Sequence, residues 1–313
     1  RVSACGVCST DVNRSNNYGS YFYPLVMGHE IAGKIELVGE ETTGFSKDDR
    51  VAVFPLIPCF SCCECLKENY MLCHDYSYYG SRCNGGYSEF LAINAWNLIK
   101  IPDQVDIRDA AFLEPTSVIV HAMRNSGLLE KSSRKILIIG CGFLGLILAK
   151  ILLSNDVENE IWIMDRNIFK LNLLPANIAK VTSPFDLRGQ FFDIVFEGTG
   201  STEGIGVAID NVNRGGLICL LGNPTSDVSL EQSIFSKILR KEIRLQGSWN
   251  SSFQHNRNDD WSYSLDLLKK GLRPSQFVSH LLGLEGVPNF LNNCWEHKSR
   301  IKKFEYVKGL VLP

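Results

Sequence analysis

The chain predicts an α/β protein in two unlike parts: an irregular β-rich unit over residues 1–118 and a doubly wound parallel sheet over residues 119–250, with residues 251–313 returning to the first unit. Three observations predict it. Residues 1 to about 115 hold short β-type runs, "EIAGKIELVG", "RVAVFPL" and "YSEFLAI", broken by glycine, proline and cysteine turns. After "FLEPTSVIVHAMRNSGLL", which reads as a connecting helix, apolar strands and helices alternate through "KILIIG", "FLGLILAKILL", "EIWIMD", "FDIVFEGTG", "GGLICLLGN" and "KEIRLQGSW", the pattern of a parallel sheet with helices on both faces. From about Asn250 the chain turns polar and helical, and it ends on "KGLVLP", a strand able to rejoin the first unit.

Composition bounds the class. With 313 residues, 45% of them hydrophobic, and a formal charge of −2, the chain reads as a soluble protein of about two domains with no basic face for nucleic acid. Eleven cysteines, several in metal-type spacing and none behind a secretory leader, point to a reducing cytoplasm. The longest apolar run, Ile136 to Ala149, is glycine-punctuated and too short to span a bilayer. The opening "RVSACGVCSTDV" alternates like an interior strand, so the domain is expected to be N-terminally truncated.

Within the first unit, Cys59, Cys62, Cys65 and Cys73 are spaced by three, three and eight residues in "CFSCCECLKENYMLC". Four thiolates on that spacing close a tetrahedron around one Zn²⁺ and cross-link a loop with little apolar surface of its own. Cys63, a fifth cysteine, falls outside the even set.

At the start of the second unit, Gly140, Gly142 and Gly145 form G-x-G-x-x-G between strand and helix, with Leu144 inside the loop. Glycines there let backbone N–H groups approach a pyrophosphate at the positive end of a helix. Asp165 closes the next strand twenty residues beyond Gly145, where a carboxylate holds ribose hydroxyls and repels the 2′-phosphate of NADP, so NAD is the expected cofactor. Arg166 is the counterweight, and Lys170 is placed to reach the same ribose; both otherwise read as exposed helix charges.

A second metal site is suggested by Cys8, by His29 and Glu30 in "MGHEIAG", and by Glu114 in "FLEPTS". Singly these are a core thiol, a strand histidine and a helix N-terminal acid. Catalytic zinc needs three or four mixed protein ligands and one exchangeable position, and together these are the ligand types that suit it. Asp11 is placed to accept the other ring N–H of His29.

"GVCSTDV", "GHEIAGKIELVG", the cysteine lobe, "LEPTSVIVHA", the glycine loop and "KILRKEIRLQGSW" together resemble the zinc-dependent medium-chain dehydrogenase family over nearly the whole chain. The resemblance implies a GroES-like catalytic domain, a Rossmann domain, two zinc ions per chain and a homodimer or homotetramer. Glutamate at 114, where ethanol-type relatives place a cysteine, is similar to the polyol dehydrogenase branch. "YFYPLVMGHE", "FPLIPCFSCCECLK", "GSRCNGGYSEF" and "FSKILRKEIRLQGSW" resemble the part of it that takes sugar-alcohol phosphates.

Carried onto this chain, the resemblance makes Cys8, His29 and Glu114 the catalytic zinc ligands, Glu30 a carboxylate that exchanges onto the metal, Thr10 the proton relay and Arg14 the contact to a substrate phosphate. Expected chemistry is NAD-dependent oxidation of a secondary hydroxyl, as in galactitol 1-phosphate, to a ketone. Unphosphorylated sorbitol- or threonine-type activity is the nearest alternative, and an inactive NAD-binding structural protein the alternative of another class. Two positions depart from the family: Asn13 stands where many relatives keep a relay histidine, and Asp48 where they keep a turn glycine. His121, Lys308 and the basic stretch from Lys298 to Lys303 read respectively as a helix residue, a contact near the cofactor and a solvated face.

Overall fold

The computed structural model describes residues 1–130, 133–154, 157–255 and 258–313. They form two compact units, residues 1–117 with 251–313 and residues 118–250.

The first unit is built on a six-stranded sheet in the order His280–Leu282, Gly309–Val311, Val2–Val7, Glu30–Lys34, Arg50–Val53, Leu98–Lys100. Val2–Val7 runs antiparallel to both neighbours and is buried on both faces, which is why its side chains are apolar or small throughout rather than only at every second position. The C-terminal strand supplies one of those neighbours, with Val7 opposite Gly309. Val51, Val53, Ile31 and Leu98 pack below it with Phe290, Leu291 and Cys294 of the helix Val287–Lys298.

Two sequence expectations change here. The strand in "EIAGKIELVG" ends at Lys34, with Ile35 still bonded to Asp48 and Asp49, and Leu37 is 89% exposed beyond it. "YSEFLAI" forms no strand; Glu89 accepts one bond from the N–H of Val2 at 2.9 Å, and the preceding residues follow Val26–Gly28 instead. Gly28 (φ +94°) and Gly85 permit that crossing, since a Cβ on Gly85 would meet the Gly28 carbonyl oxygen at 2.1 Å. Asp48 has φ +69°, a left-handed position in which aspartate is among the few tolerated replacements for glycine.

The second unit holds six parallel strands in the order Arg244–Gly247, Val212–Leu220, Phe192–Glu197, Lys135–Ile139, Glu160–Met164, Ala179–Val181. Strand order reverses beside Lys135–Ile139, the switch point at which open α/β sheets bind ligands. Leu137, Ile139, Val195 and Ile218 fill the core. Helix Phe143–Ser154 follows the first strand through Gly140, at φ +101°, and Gly145 lies against that turn: a Cβ there would meet the Gly140 carbonyl oxygen at 2.2 Å.

Gly145→Val is therefore expected to lower unfolding stability by about 1–3 kcal/mol in urea titrations. Gly142→Ala, whose added carbon meets nothing within 4 Å, should stay within about 0.5 kcal/mol of the parent. Equal losses in the two variants would contradict the close approach.

Candidate active site

Sheet register brings the first unit's polar groups to one end. Cys8 follows the strand Val2–Val7 and caps the short helix Ser9–Asn13, while Glu30 opens its partner strand opposite Gly6. Gly6 makes the room: a Cβ on it would strike Glu30 Oε2 at 1.9 Å. The ligating atoms of Cys8, His29 and Glu30 all lie within 4.8 Å of one another.

Asp11 fixes the imidazole. Its Oδ1 is 3.5 Å from His29 Nδ1, and its Oδ2 accepts from the Cys8 N–H at 3.0 Å and the Tyr87 hydroxyl at 2.8 Å. A ligating histidine whose second nitrogen faces a carboxylate is held in one tautomer and orientation. Burial alone would lower the His29 pKa, but Asp11 and Cys8 push it well above its ordinary value. Asp11 goes the other way, its own burial overcome by His29 and Tyr87.

Lys308 lies at this centre, its Nζ donating to Glu30 Oε1 at 2.5 Å with both groups buried. The sequence suggested a cofactor contact; the structure gives it a carboxylate of the first unit, and Glu30 and Cys8 raise its pKa against the lowering by burial. Glu30 Oε2 is buried without a hydrogen-bond partner. Glu114, in the first turn of the helix Leu113–Asn125, accepts from Tyr78 at 3.3 Å and stands outside the group of three. Burial drives it up to about 7 despite His29 and Lys308. A thiol, an imidazole and two carboxylates stand beside one lysine, and these are donor types that zinc takes. With an orphan carboxylate oxygen among them, they fit a zinc ion.

Thr10 sits half-buried in the helix after Cys8. Asn13 is buried and accepts from Lys298 at 3.4 Å, so that lysine, read in the sequence as part of a solvated face, also closes on this helix. Arg14 ends the helix with its Nε buried and without a hydrogen-bond partner. His121 meets Asn125 across one helical turn at 3.0 Å.

Cys59, Cys62, Cys65 and Cys73 converge, with all Sγ atoms within 4.8 Å of one another and no disulfide among the described residues. Cys59 to Cys65 and Cys62 to Cys73 are each 3.9 Å, against roughly 3.8 Å for thiolates on a tetrahedral ion with bonds of about 2.3 Å. Ser61 and the Cys62 N–H draw the Cys59 thiol down to about 6, while burial lifts Cys65 to about 12. Cys63 points to Glu64 instead, at 3.8 Å.

In the second unit Asp165 binds backbone with both oxygens, the N–H of Cys141 and that of Asn167, each at 2.8 Å. It thus ties the glycine turn to the next strand, and each oxygen keeps a second lone pair for a ribose hydroxyl. Leu144 and Lys170 are half-buried and Arg166 is exposed.

Sequence reading missed Tyr78 and Tyr87, the two phenols that meet Glu114 and Asp11. The glycine pair before Tyr87 was the available signal; nothing marked Tyr78 among its neighbouring tyrosines.

The pattern of the alcohol dehydrogenase GroES-like domain matches residues 1–103. D-altritol 5-dehydrogenase from Agrobacterium fabrum is 30% identical over 299 residues, which covers 93% of this chain and 86% of that protein. Galactitol 1-phosphate 5-dehydrogenase from Escherichia coli is 29% identical over 295 residues, covering 90% and 84%. The crystal structure of galactitol-1-phosphate dehydrogenase from Escherichia coli aligns with a TM-score of 0.87 at 28% identity, over 100% of this chain and 91% of that one. The chain belongs to the zinc-dependent medium-chain dehydrogenase family and is an oxidoreductase that acts on CH–OH groups with zinc and a nicotinamide dinucleotide.

Proposed function

We propose that the chain oxidises a secondary hydroxyl of a sugar-alcohol phosphate, with galactitol 1-phosphate the leading compound of that class, to the ketose, and that NAD accepts the hydride. The observation that carries the reading is the buried convergence of Cys8, His29 and Glu30, one short helix away from Arg14, whose Nε is buried and unpartnered. Similarity to the galactitol 1-phosphate enzyme supports the phosphate, whereas D-altritol, named for the other relative, carries none.

In this reading Cys8, His29 and Glu114 hold the catalytic zinc. Lys308 is closed on Glu30, so Glu114 is the carboxylate left to balance the ion, and the orphan Oε2 of Glu30 stands ready to exchange onto it. Bound zinc supplies Lewis acidity that lowers the pKa of the substrate hydroxyl. Thr10 Oγ1 would accept the substrate hydroxyl's proton while passing its own hydroxyl proton on toward solvent. Its onward route does not pass through Asn13, an amide that does not titrate. Arg14 holds the phosphate by forked, charge-assisted bonds.

Cys59, Cys62, Cys65 and Cys73 hold the structural zinc. Gly140, Gly142, Leu144 and Gly145 cradle the pyrophosphate, with Asp165 and Lys170 at the ribose. Copies pair as a homodimer or homotetramer, a reading supported by the exposed edge strand Arg244–Gly247. No helix among the described residues is long and apolar enough to cross a membrane, which fits a cytoplasmic setting.

NAD reduction measured side by side should give a kcat/KM for galactitol 1-phosphate at least about 100-fold above those for galactitol, sorbitol and threonine, the span of one buried charge-assisted contact. Comparable values would remove the phosphate from the substrate.

Metal analysis should find about two zinc ions per chain, one for each site. Cys62→Ser and Glu114→Gln are each expected to lose one, whereas Cys63→Ser and Glu30→Gln keep both. Loss of zinc from Glu30→Gln but not from Glu114→Gln would transfer the ligand role to Glu30.

Asp165→Ser is expected to weaken NAD binding about 10-fold or more and to narrow the preference over NADP, read by fluorescence titration of both. An unchanged ratio would leave Asp165 with the loop tie alone.

A further inference from the structure

Tyr21 is 66% exposed, yet two guanidiniums lie on its ring: Arg14 with Cζ 5.4 Å from the centroid and Arg82 at 4.9 Å. The two arginines come from distant segments, one ending the helix that Cys8 caps and the other following the cysteine lobe. Among the described residues neither pairs with a carboxylate. Arg82 spends one N–H on the Tyr76 carbonyl oxygen at 3.0 Å, and the buried Nε of Arg14 has no acceptor at all. Two cations drawn to one ring repel each other, against an aromatic attraction of about 1 kcal/mol each. A dianion between them would neutralise the pair and give the orphan donor an acceptor.

Arg82 also leads back to the reacting groups. Its guanidinium stacks on Tyr76 at 4.2 Å; Tyr76 meets Tyr78 edge-on at 6.2 Å; and Tyr78 bonds Glu114 and borders the ring of His29 at 5.8 Å. From Arg14 the path to Cys8 is a single short helix. Both cations are therefore linked to the proposed metal centre through a few side chains.

We propose that Arg14 and Arg82, held together by Tyr21, form a two-arginine clamp for the phosphate dianion of the substrate, with Arg82 a second determinant of specificity for phosphorylated polyols. The clamp rests on the substrate reading above, and the test separates the two. Wild-type enzyme, Arg82→Gln, which keeps a donor for the Tyr76 carbonyl, and Arg82→Lys, which keeps the charge, are compared on galactitol 1-phosphate and on galactitol, with inorganic phosphate as competitor.

The expected result for Arg82→Gln is a KM for galactitol 1-phosphate raised about 10- to 100-fold, with kcat within about threefold and the KM for galactitol unchanged. The inhibition constant of inorganic phosphate should rise in parallel, and Arg82→Lys should recover part of both losses. An Arg82→Gln enzyme that retains the wild-type KM, or shifts it equally for both substrates, overturns the clamp. Failure of the wild type to prefer the phosphorylated compound overturns the substrate reading itself, before any variant is made.

Discussion

An excess of buried negative charge at one end of the first unit's sheet is the constraint on which the rest depends. Asp11, Glu30 and Glu114 are each less than a tenth exposed, and the Cys8 thiol stands among them. A lone carboxylate in such surroundings would give up its charge by binding a proton. Glu114, lifted to about 7, shows that tendency, while Asp11 escapes it by facing His29 and collecting hydrogen bonds. Lys308 answers one carboxylate, Glu30, and His29 answers Asp11, which leaves Glu114 for a divalent ion to balance if one is bound.

Space for those charges is made by backbone. Gly6 leaves room for the Glu30 carboxylate, and Gly28 and Gly85 let two chain segments cross so that Tyr87 reaches Asp11. In the second unit Gly140 and Gly145 do the same for the turn after the first strand, and Asp165 locks that turn to the neighbouring strand through the Cys141 N–H. Polar side chains thus sit where glycine permits, and their partners are fixed by register, as with Lys308, which is placed by the pairing of Val7 with Gly309.

Features with a local period or spacing were legible in the sequence. The cysteine lobe, the glycine loop and the parallel sheet could be read from residue type and interval, whereas Cys8, His29, Glu30 and Glu114 grouped by ligand type alone, and the structure brings the first three of them together. What depended on long-range register could not be read. Lys308 is 278 residues from Glu30, and no interval links them. "YSEFLAI" carries the residues of a strand, but its chain is diverted by the glycine crossing before it can pair. Tyr78 and Arg82 belong to a run of aromatic and turn residues whose meaning lies in what they touch. Glu114 was placed by resemblance, and geometry adds that Glu30 is the nearer carboxylate while Glu114 is the one lacking a lysine of its own.

The two proposed metal sites differ in a way that charge explains. Four thiolates around Zn²⁺ carry a net charge of about −2, which an apolar interior would not accept. The lobe would keep that charge near the surface, where donors already meet its sulfurs: the Cys59 N–H on Cys73 Sγ and the Cys62 N–H on Cys59 Sγ, both at 3.3 Å. A thiolate, an imidazole and a carboxylate around the same ion sum to about zero. That set can be buried beside an ion pair that is itself neutral, Glu30 with Lys308, and still leave the metal with Lewis acidity to spend on a substrate oxygen. A sulfur-rich shell would quench that acidity, and an all-carboxylate shell would be too charged to bury; the mixed shell satisfies both limits at once.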